Sequence, residues 1–168
     1  HYQEKTIDRV KALSPIKETE QVIQEIVSAD ILTTAVWADN LSKVAPTISE
    51  GLYQRFLLSK KRINVLACEN AMFNSEILKK EILKLGQLTE EQLEQVATFP
   101  NTAVDRMVLE DERNGEKVIN IGVDFELAIE RNKLVDPTSL PIKGAEYTDN
   151  LVKYIERKIG RASCRERV

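Results

Sequence analysis

The chain has 168 residues, 42% of them hydrophobic and 30% charged, a balance typical of one ordinary domain, or part of a larger one, with a packed core. The net charge of −3, without a basic stripe along any helix, argues against a nucleic-acid partner. Apolar runs too short to span a bilayer and no visible signal-peptide pattern predict a cytoplasmic protein without a membrane partner.

Helices and strands alternate through the first part of the chain. Apolar spacing predicts helices at residues 18–28 and 75–85, and short β-branched runs predict buried strands at 30–36 and 63–68. Residues 40–58 also have a helical pattern, with Asn40 as the expected N-cap and Pro46 as an expected break. We expect the two strands to be adjacent and parallel in one sheet, because a helical crossover joins them.

The second part predicts a hairpin-like pair of strands and a final helix. Thr89 and Gln92 form a capping box that opens a helix. Strands are expected at 103–109 and 118–124, joined by a turn through Asn114 and Gly115. Pro137 and Pro141 punctuate a loop before a helix at 149–159. The whole order predicts an α/β fold with a parallel sheet.

The two ends differ from the rest of the sequence. The chain begins at His1 without a methionine, as though it were part of something longer. Residues 160–168 show no clear apolar period, so we expect them to be a non-native, poorly packed tail.

Three chemically useful side chains, Cys68, Glu69 and Asn70, stand at the end of the predicted strand at 63–68. The carboxyl ends of parallel strands are where open α/β sheets bind ligands. No metal site is expected, because one thiolate and one carboxylate lack further ligands and the only histidine is His1. No internal histidine could activate Cys68 as a nucleophile. The residues alone therefore favour a packed Cys68 and a Glu69 that caps the next turn.

Four segments, in order and at compatible intervals, resemble the long-chain polyol dehydrogenases, the mannitol dehydrogenase family. Pro46 and Gly51 also fall where that family has an Ala-Pro and Gly-Leu helix. The segments are Ala-Asp-Ile-Leu-Thr-Thr-Ala-Val at 29–36, Ile-Asn-Val-Leu-Ala-Cys-Glu-Asn at 63–70, Phe-Pro-Asn-Thr-Ala-Val-Asp-Arg at 99–106 and Tyr-Ile-Glu-Arg-Lys at 154–158.

The resemblance implies an oxidoreductase that transfers a hydride between NAD and an open-chain polyol or polyol phosphate. It implies a partial dinucleotide-binding, Rossmann-like α/β domain at 1–143 and the start of a helical substrate domain at 144–159. The partner would be a small-molecule polyol or sugar phosphate, and the sequence leaves the oligomeric state open. Reduction of a uronate, and a non-enzymatic α/β interaction module, are the alternatives.

The resemblance also assigns roles to single residues. It makes Lys158 the catalytic general acid/base, Asn70 the amide that holds the reacting oxygen and Asp105 a polar residue of the substrate pocket. Thr34 and Val36 would lie beside the nicotinamide. A lysine that acts as a base must be neutral, so burial or a neighbouring cation is expected beside it.

The sequence departs from the family pattern in several places. No G-x-G-x-x-G turn occurs, and Trp37 stands with Ala38 where the family has Gly-Pro. Ser163 and Glu166 stand where the family carries an Asn and a His after the lysine. We therefore expect an internal piece of a dehydrogenase that is inactive when isolated.

Overall fold

The described residues form two three-stranded sheets with helices packed against the first. A computed structural model describes residues 8–113, 115–136, 138 and 142–165, and of 123, 124 and 159–165 it describes the backbone alone. The first sheet has the order β1-β2-β3 and is parallel. Its elements are α1 (Thr19–Ser28), β1 (Ile31–Thr34), α2 (Leu41–Leu57), β2 (Ile63–Ala67), α3 (Asn74–Lys84), α4 (Glu90–Val96) and β3 (Ala97–Thr98).

The parallel pairing of β1 and β2 confirms the expected sheet. Ile31 lies opposite Asn64, and Thr34 lies opposite Ala67. Strand β2 is central and all five of its residues are buried, which explains the apolar run at 65–67. Because the three strands are parallel, their carboxyl ends lie at one edge of the sheet.

Helix α2 packs against α1, α3 and α4. Its buried face includes Leu41, Ile48 and Leu52, which belong to the main apolar core. The approach to α1 is close, since a Cβ atom at Gly51 would lie 2.5 Å from Ile26 Cγ2. Glycine at this position therefore permits the contact between the two helices.

One expectation about α2 is wrong, and another holds only for the position of the residue. The helix runs unbroken through Pro46, because a proline near the start removes only one helical hydrogen bond and the buried face holds the rest. Asn40 occupies the N-cap position, but its side-chain amide donates 2.7 Å to the Val36 carbonyl and makes no cap bond to the helix. The capping box of Thr89 and Gln92 is confirmed.

The second sheet begins where the first ends. Strands β4 (Thr102–Arg113) and β5 (Glu116–Glu130) form an antiparallel hairpin, and β6 (Glu146–Thr148) pairs parallel to β5. Both hairpin strands are longer than predicted, because the charged residues beyond Leu109 continue the pairing without an apolar period. Asn114 of the predicted turn lies outside the described residues, as do Pro137 and Pro141.

Helix α5 (Leu151–Arg165) follows the second sheet. It begins near the predicted start, and its backbone continues past residue 159 into the segment that was expected to be a tail. The side chains of 159–165 and all of 166–168 lie outside the described residues, so the packing of that segment stays a prediction.

Candidate functional site

A buried carboxylate joins the carboxyl ends of β1 and β2. Glu69 is 4% exposed and accepts a 2.9 Å hydrogen bond from the Thr34 hydroxyl. The Val36 backbone N–H donates to both Glu69 oxygens, at 2.9 and 3.1 Å. The expectation that Glu69 caps the next turn is therefore wrong, because its carboxylate satisfies donors at the end of the neighbouring strand.

Asn74 ties the loop after β2 to the start of β4. This fully buried side chain donates to the Glu69 carbonyl at 3.0 Å and to the Thr102 carbonyl at 3.0 Å. Its own oxygen accepts from the backbone N–H groups of Ser75, at 2.9 Å, and Thr102, at 3.1 Å. Sequence reasoning missed Asn74, since nothing local distinguishes it from a solvated asparagine.

The expected catalytic residues meet around one cavity. Asn70 from the β2 loop, Asp105 from β4 and Lys158 from α5 all line a space of about 440 Å³. Along the chain, Asn70 and Lys158 are separated by α3, α4, β3, the β4–β5 hairpin and β6, and the fold brings α5 back to the same cavity. A set of groups that can hold an alcohol oxygen and move its proton thus lies in one place.

Lys158 does not lie alone in this cavity. Its Nζ is 2.8 Å from Glu126 Oε1, and the Tyr154 hydroxyl donates to the same carboxylate oxygen. The Lys158 side chain is 48% exposed, so the burial expected around it is incomplete. The neighbour is instead an acidic group on β5, which the sequence pattern could not place because its register depends on the whole hairpin.

A second cavity of about 420 Å³ adjoins the first at the ends of β1 and β2. Glu69 and Asn70 line both cavities. Thr34 and Val36 line neither, and they reach the site only through their hydrogen bonds to Glu69.

Trp37 forms the exposed rim of this second cavity. Its side chain is 80% exposed, and its backbone φ of 71° lies in the region that favours glycine. The family motif has glycine here, so this chain keeps the backbone bend and strains it with a bulky side chain.

The other candidate features of the sequence were the Cys68 thiol and a metal site. Burial raises the pKa of the Cys68 thiol and the nearby Glu69 charge adds to this, while a hydrogen bond with Thr102 opposes them.

The described residues contain no group of three His, Cys, Asp or Glu side chains that could hold a metal ion. Among the helices of the described ranges, none has both the length and the apolar composition that crossing a membrane requires.

Comparison with known proteins identifies relatives of this chain. A family model described as "Mannitol dehydrogenase Rossmann domain" matches residues 1–143. The chain is 39% identical over 156 residues to mannitol-1-phosphate 5-dehydrogenase of Thermoanaerobacter pseudethanolicus, covering 91% of this chain and 39% of that protein. It is 35% identical over 158 residues to the enzyme of the same name from Geobacillus thermodenitrificans, covering 94% and 41%. The chain thus spans about two-fifths of the length of these curated relatives.

Two solved structures share the fold. A substrate-free D-sorbitol dehydrogenase superposes with a TM-score of 0.68 and 16% identity, covering 83% of this chain and 38% of the other. Pseudomonas fluorescens mannitol 2-dehydrogenase, solved as a ternary complex with NAD and D-mannitol, gives a TM-score of 0.65 and 17% identity, covering 88% and 39%.

Proposed function

The chain belongs to the family of the mannitol dehydrogenase Rossmann domain, and from that membership we propose that the protein encoded by its complete reading frame is an NAD-dependent polyol phosphate dehydrogenase. The reaction is hydride transfer between NAD and mannitol 1-phosphate, with fructose 6-phosphate as the oxidised product. The observation that carries the proposal is the convergence of Asn70, Asp105 and Lys158 on one cavity. The mannitol-1-phosphate 5-dehydrogenases among its relatives support the substrate class.

The proposed roles follow from the chemistry of alcohol oxidation. The alcohol oxygen loses a proton as its carbon loses a hydride, so the site needs a proton acceptor and a donor that stabilises the developing oxyanion. Lys158 Nζ takes the proton, and the Asn70 amide donates to the oxygen without adding charge. Asp105 accepts hydrogen bonds from substrate hydroxyl groups. Lys158 Nζ, which contacts Glu126 as an ion pair, has to give up its own proton before it can accept the proton of the alcohol.

The second cavity is the proposed place of the nicotinamide. When bound, NAD supplies the hydride acceptor. The cavity lies at the carboxyl ends of parallel strands, where α/β folds bind nucleotides, and it shares Asn70 with the substrate cavity. Thr34 and Val36 act on this cavity through hydrogen bonds to Glu69, whose buried carboxylate fixes the end of β1. The residues present therefore fit a nicotinamide beside the reacting alcohol.

We further propose the domain division expected from the sequence, with the dinucleotide-binding unit at 1–143, the start of the substrate domain at 144–159 and a non-native tail at 160–168.

The proposed compartment is the cytoplasm. A free cysteine at position 68 and an NAD-dependent reaction are both typical of it.

A substrate panel tests this function. The protein from the complete reading frame is assayed with NAD or NADP and mannitol 1-phosphate, mannitol, altronate or mannonate, by the absorbance of the reduced cofactor. We expect NAD with mannitol 1-phosphate to give the highest kcat/KM. A preference for altronate or mannonate would show a uronate reductase instead. A folded protein that oxidises none of them would point to a non-enzymatic module.

A further inference from the structure

Neither the family resemblance nor the chemistry of alcohol oxidation assigned a role to Glu126. It lies on β5 directly opposite Asp105 on β4, so the two carboxylates belong to the same cross-strand pair and the same cavity. Glu126 Oε1 contacts Lys158 Nζ at 2.8 Å and accepts from the Tyr154 hydroxyl. One carboxylate oxygen thus contacts both the ammonium and the phenol hydroxyl group of two α5 side chains.

We propose that Glu126 is a positioning residue that holds Lys158 over the substrate cavity, with Tyr154 fixing the carboxylate; this rests on the proposed function. A lysine side chain has four flexible carbons, and an unheld ammonium at 48% exposure samples many rotamers. Glu126 is more enclosed, at 25% exposure, and belongs to a paired strand. The pair therefore ties the mobile catalytic group to a rigid element.

The ring of Tyr154 adds a second restraint. Lys158 Nζ lies 5.4 Å from the centroid of that ring, within the range of a cation–π contact. Tyr154 and Lys158 are four residues apart on α5, so they share one face of the helix. Glu126, Tyr154 and Lys158 form a triad in which each pair is in contact, which is more than an isolated surface ion pair provides.

The two paired carboxylates, Glu126 and Asp105, have different roles in this arrangement. Glu126 engages the lysine, whereas Asp105, its cross-strand partner, lines the cavity for the substrate. Exchanging Glu126 should therefore change how Lys158 works more than how the substrate binds. This expectation separates a positioning residue from one that merely stabilises the fold.

The first experiment uses this chain and is independent of any enzymatic activity. Lys158 is acylated under limiting reagent, and its rate is compared by mass spectrometry with that of Lys153 on the same helix. We expect Glu126→Gln to raise the Lys158 to Lys153 rate ratio by about two- to fivefold, the range for a partly exposed ion pair. Glu116→Gln, an exposed glutamate of the same strand, is the matched control and should leave the ratio unchanged. An unchanged ratio in Glu126→Gln would overturn the proposal.

The second experiment uses the protein from the complete reading frame. In Glu126→Gln we expect kcat for polyol oxidation to fall about tenfold or more with a smaller change in KM, and Glu126→Asp to recover part of it. A kcat in Glu126→Gln equal to that of the wild-type protein would contradict the proposal.

The two experiments test the proposed function and the role of Glu126 independently of each other. If the wild-type protein oxidises no polyol, the proposed function fails, and the acylation ratio still decides whether Glu126 holds Lys158. If Glu126→Gln does not fold, as judged by circular dichroism, the Glu126→Asp and Tyr154→Phe variants carry the test. Tyr154→Phe should raise the acylation ratio in the same direction by a smaller factor, and a ratio equal to wild type in both variants would overturn the triad.

Discussion

Replacing Asn74 should show how strongly the buried polar network holds the two parts of the site together. Asn74 is fully buried, and its side chain links the Glu69 carbonyl in the β2 loop to Thr102 at the start of β4. Asn70 lies on that loop and Asp105 lies on that strand. We therefore expect Asn74→Ala to loosen the site as well as the fold.

The magnitude follows from the groups left without partners. In Asn74→Ala the backbone N–H groups of Ser75 and Thr102 lose their acceptor, and both residues are almost completely buried. Each buried, unpaired donor costs about 1–3 kcal/mol. The free energy of unfolding should fall by about 3 kcal/mol. Asn74→Asp keeps the shape but places an oxygen against the Glu69 and Thr102 carbonyls, so it should cost at least as much.

Urea denaturation of this chain, followed by circular dichroism, measures the change. Asn70→Ala is the matched control, because Asn70 is exposed and close in the chain, and it should change the free energy of unfolding by less than about 0.5 kcal/mol. A loss below about 1 kcal/mol in Asn74→Ala would refute the claim that this network holds the site together.

Three further predictions address single residues. Trp37→Gly should raise the free energy of unfolding by about 1 kcal/mol, because it relieves the strained φ, whereas Trp37→Ala keeps the strain and should not; equal effects would contradict the strain. Hydrogen bonds from Lys133 and Asn101 lower the pKa of Glu76 below its ordinary value of 4.5, so the stability they provide is present above that value and is lost as pH falls through the lowered pKa. Glu76→Gln should therefore reduce the loss of stability between about pH 7 and about pH 3 in urea titrations, and an unchanged loss would argue against this pair. Burial raises the pKa of Cys68, so iodoacetamide should alkylate it more slowly than a free cysteine at about pH 8, and an equal rate would be contrary evidence.

Much of the first sheet could be predicted from the sequence, because its signals are local. The β-branched run before Thr34 and the apolar run before Cys68 gave two strands, and the helical pattern between them required a parallel crossover. The capping box at Thr89 marked the start of a helix correctly. Gly86, with a φ of 69°, follows the end of α3 and is a local helix-stop signal of the same kind. These features need no knowledge of distant residues.

The polar details of the site could not be predicted in the same way. Whether Glu69 caps its own turn or reaches the end of β1 depends on how two strands lie side by side. Glu126 meets Lys158 only because the hairpin register places it opposite Asp105 and α5 returns across the sheet. Such contacts join residues far apart in sequence, and no local pattern encodes them.

The central claim is that Lys158 moves the proton in NAD-dependent oxidation of a polyol phosphate. The most direct measurement is kcat for mannitol 1-phosphate oxidation by the protein from the complete reading frame, compared between wild type, Lys158→Met and Lys153→Met. We expect Lys158→Met to lower kcat by about 10²–10⁴-fold, the usual contribution of a general acid/base, and Lys153→Met to leave it unchanged. A Lys158→Met enzyme that keeps the wild-type rate would contradict the account.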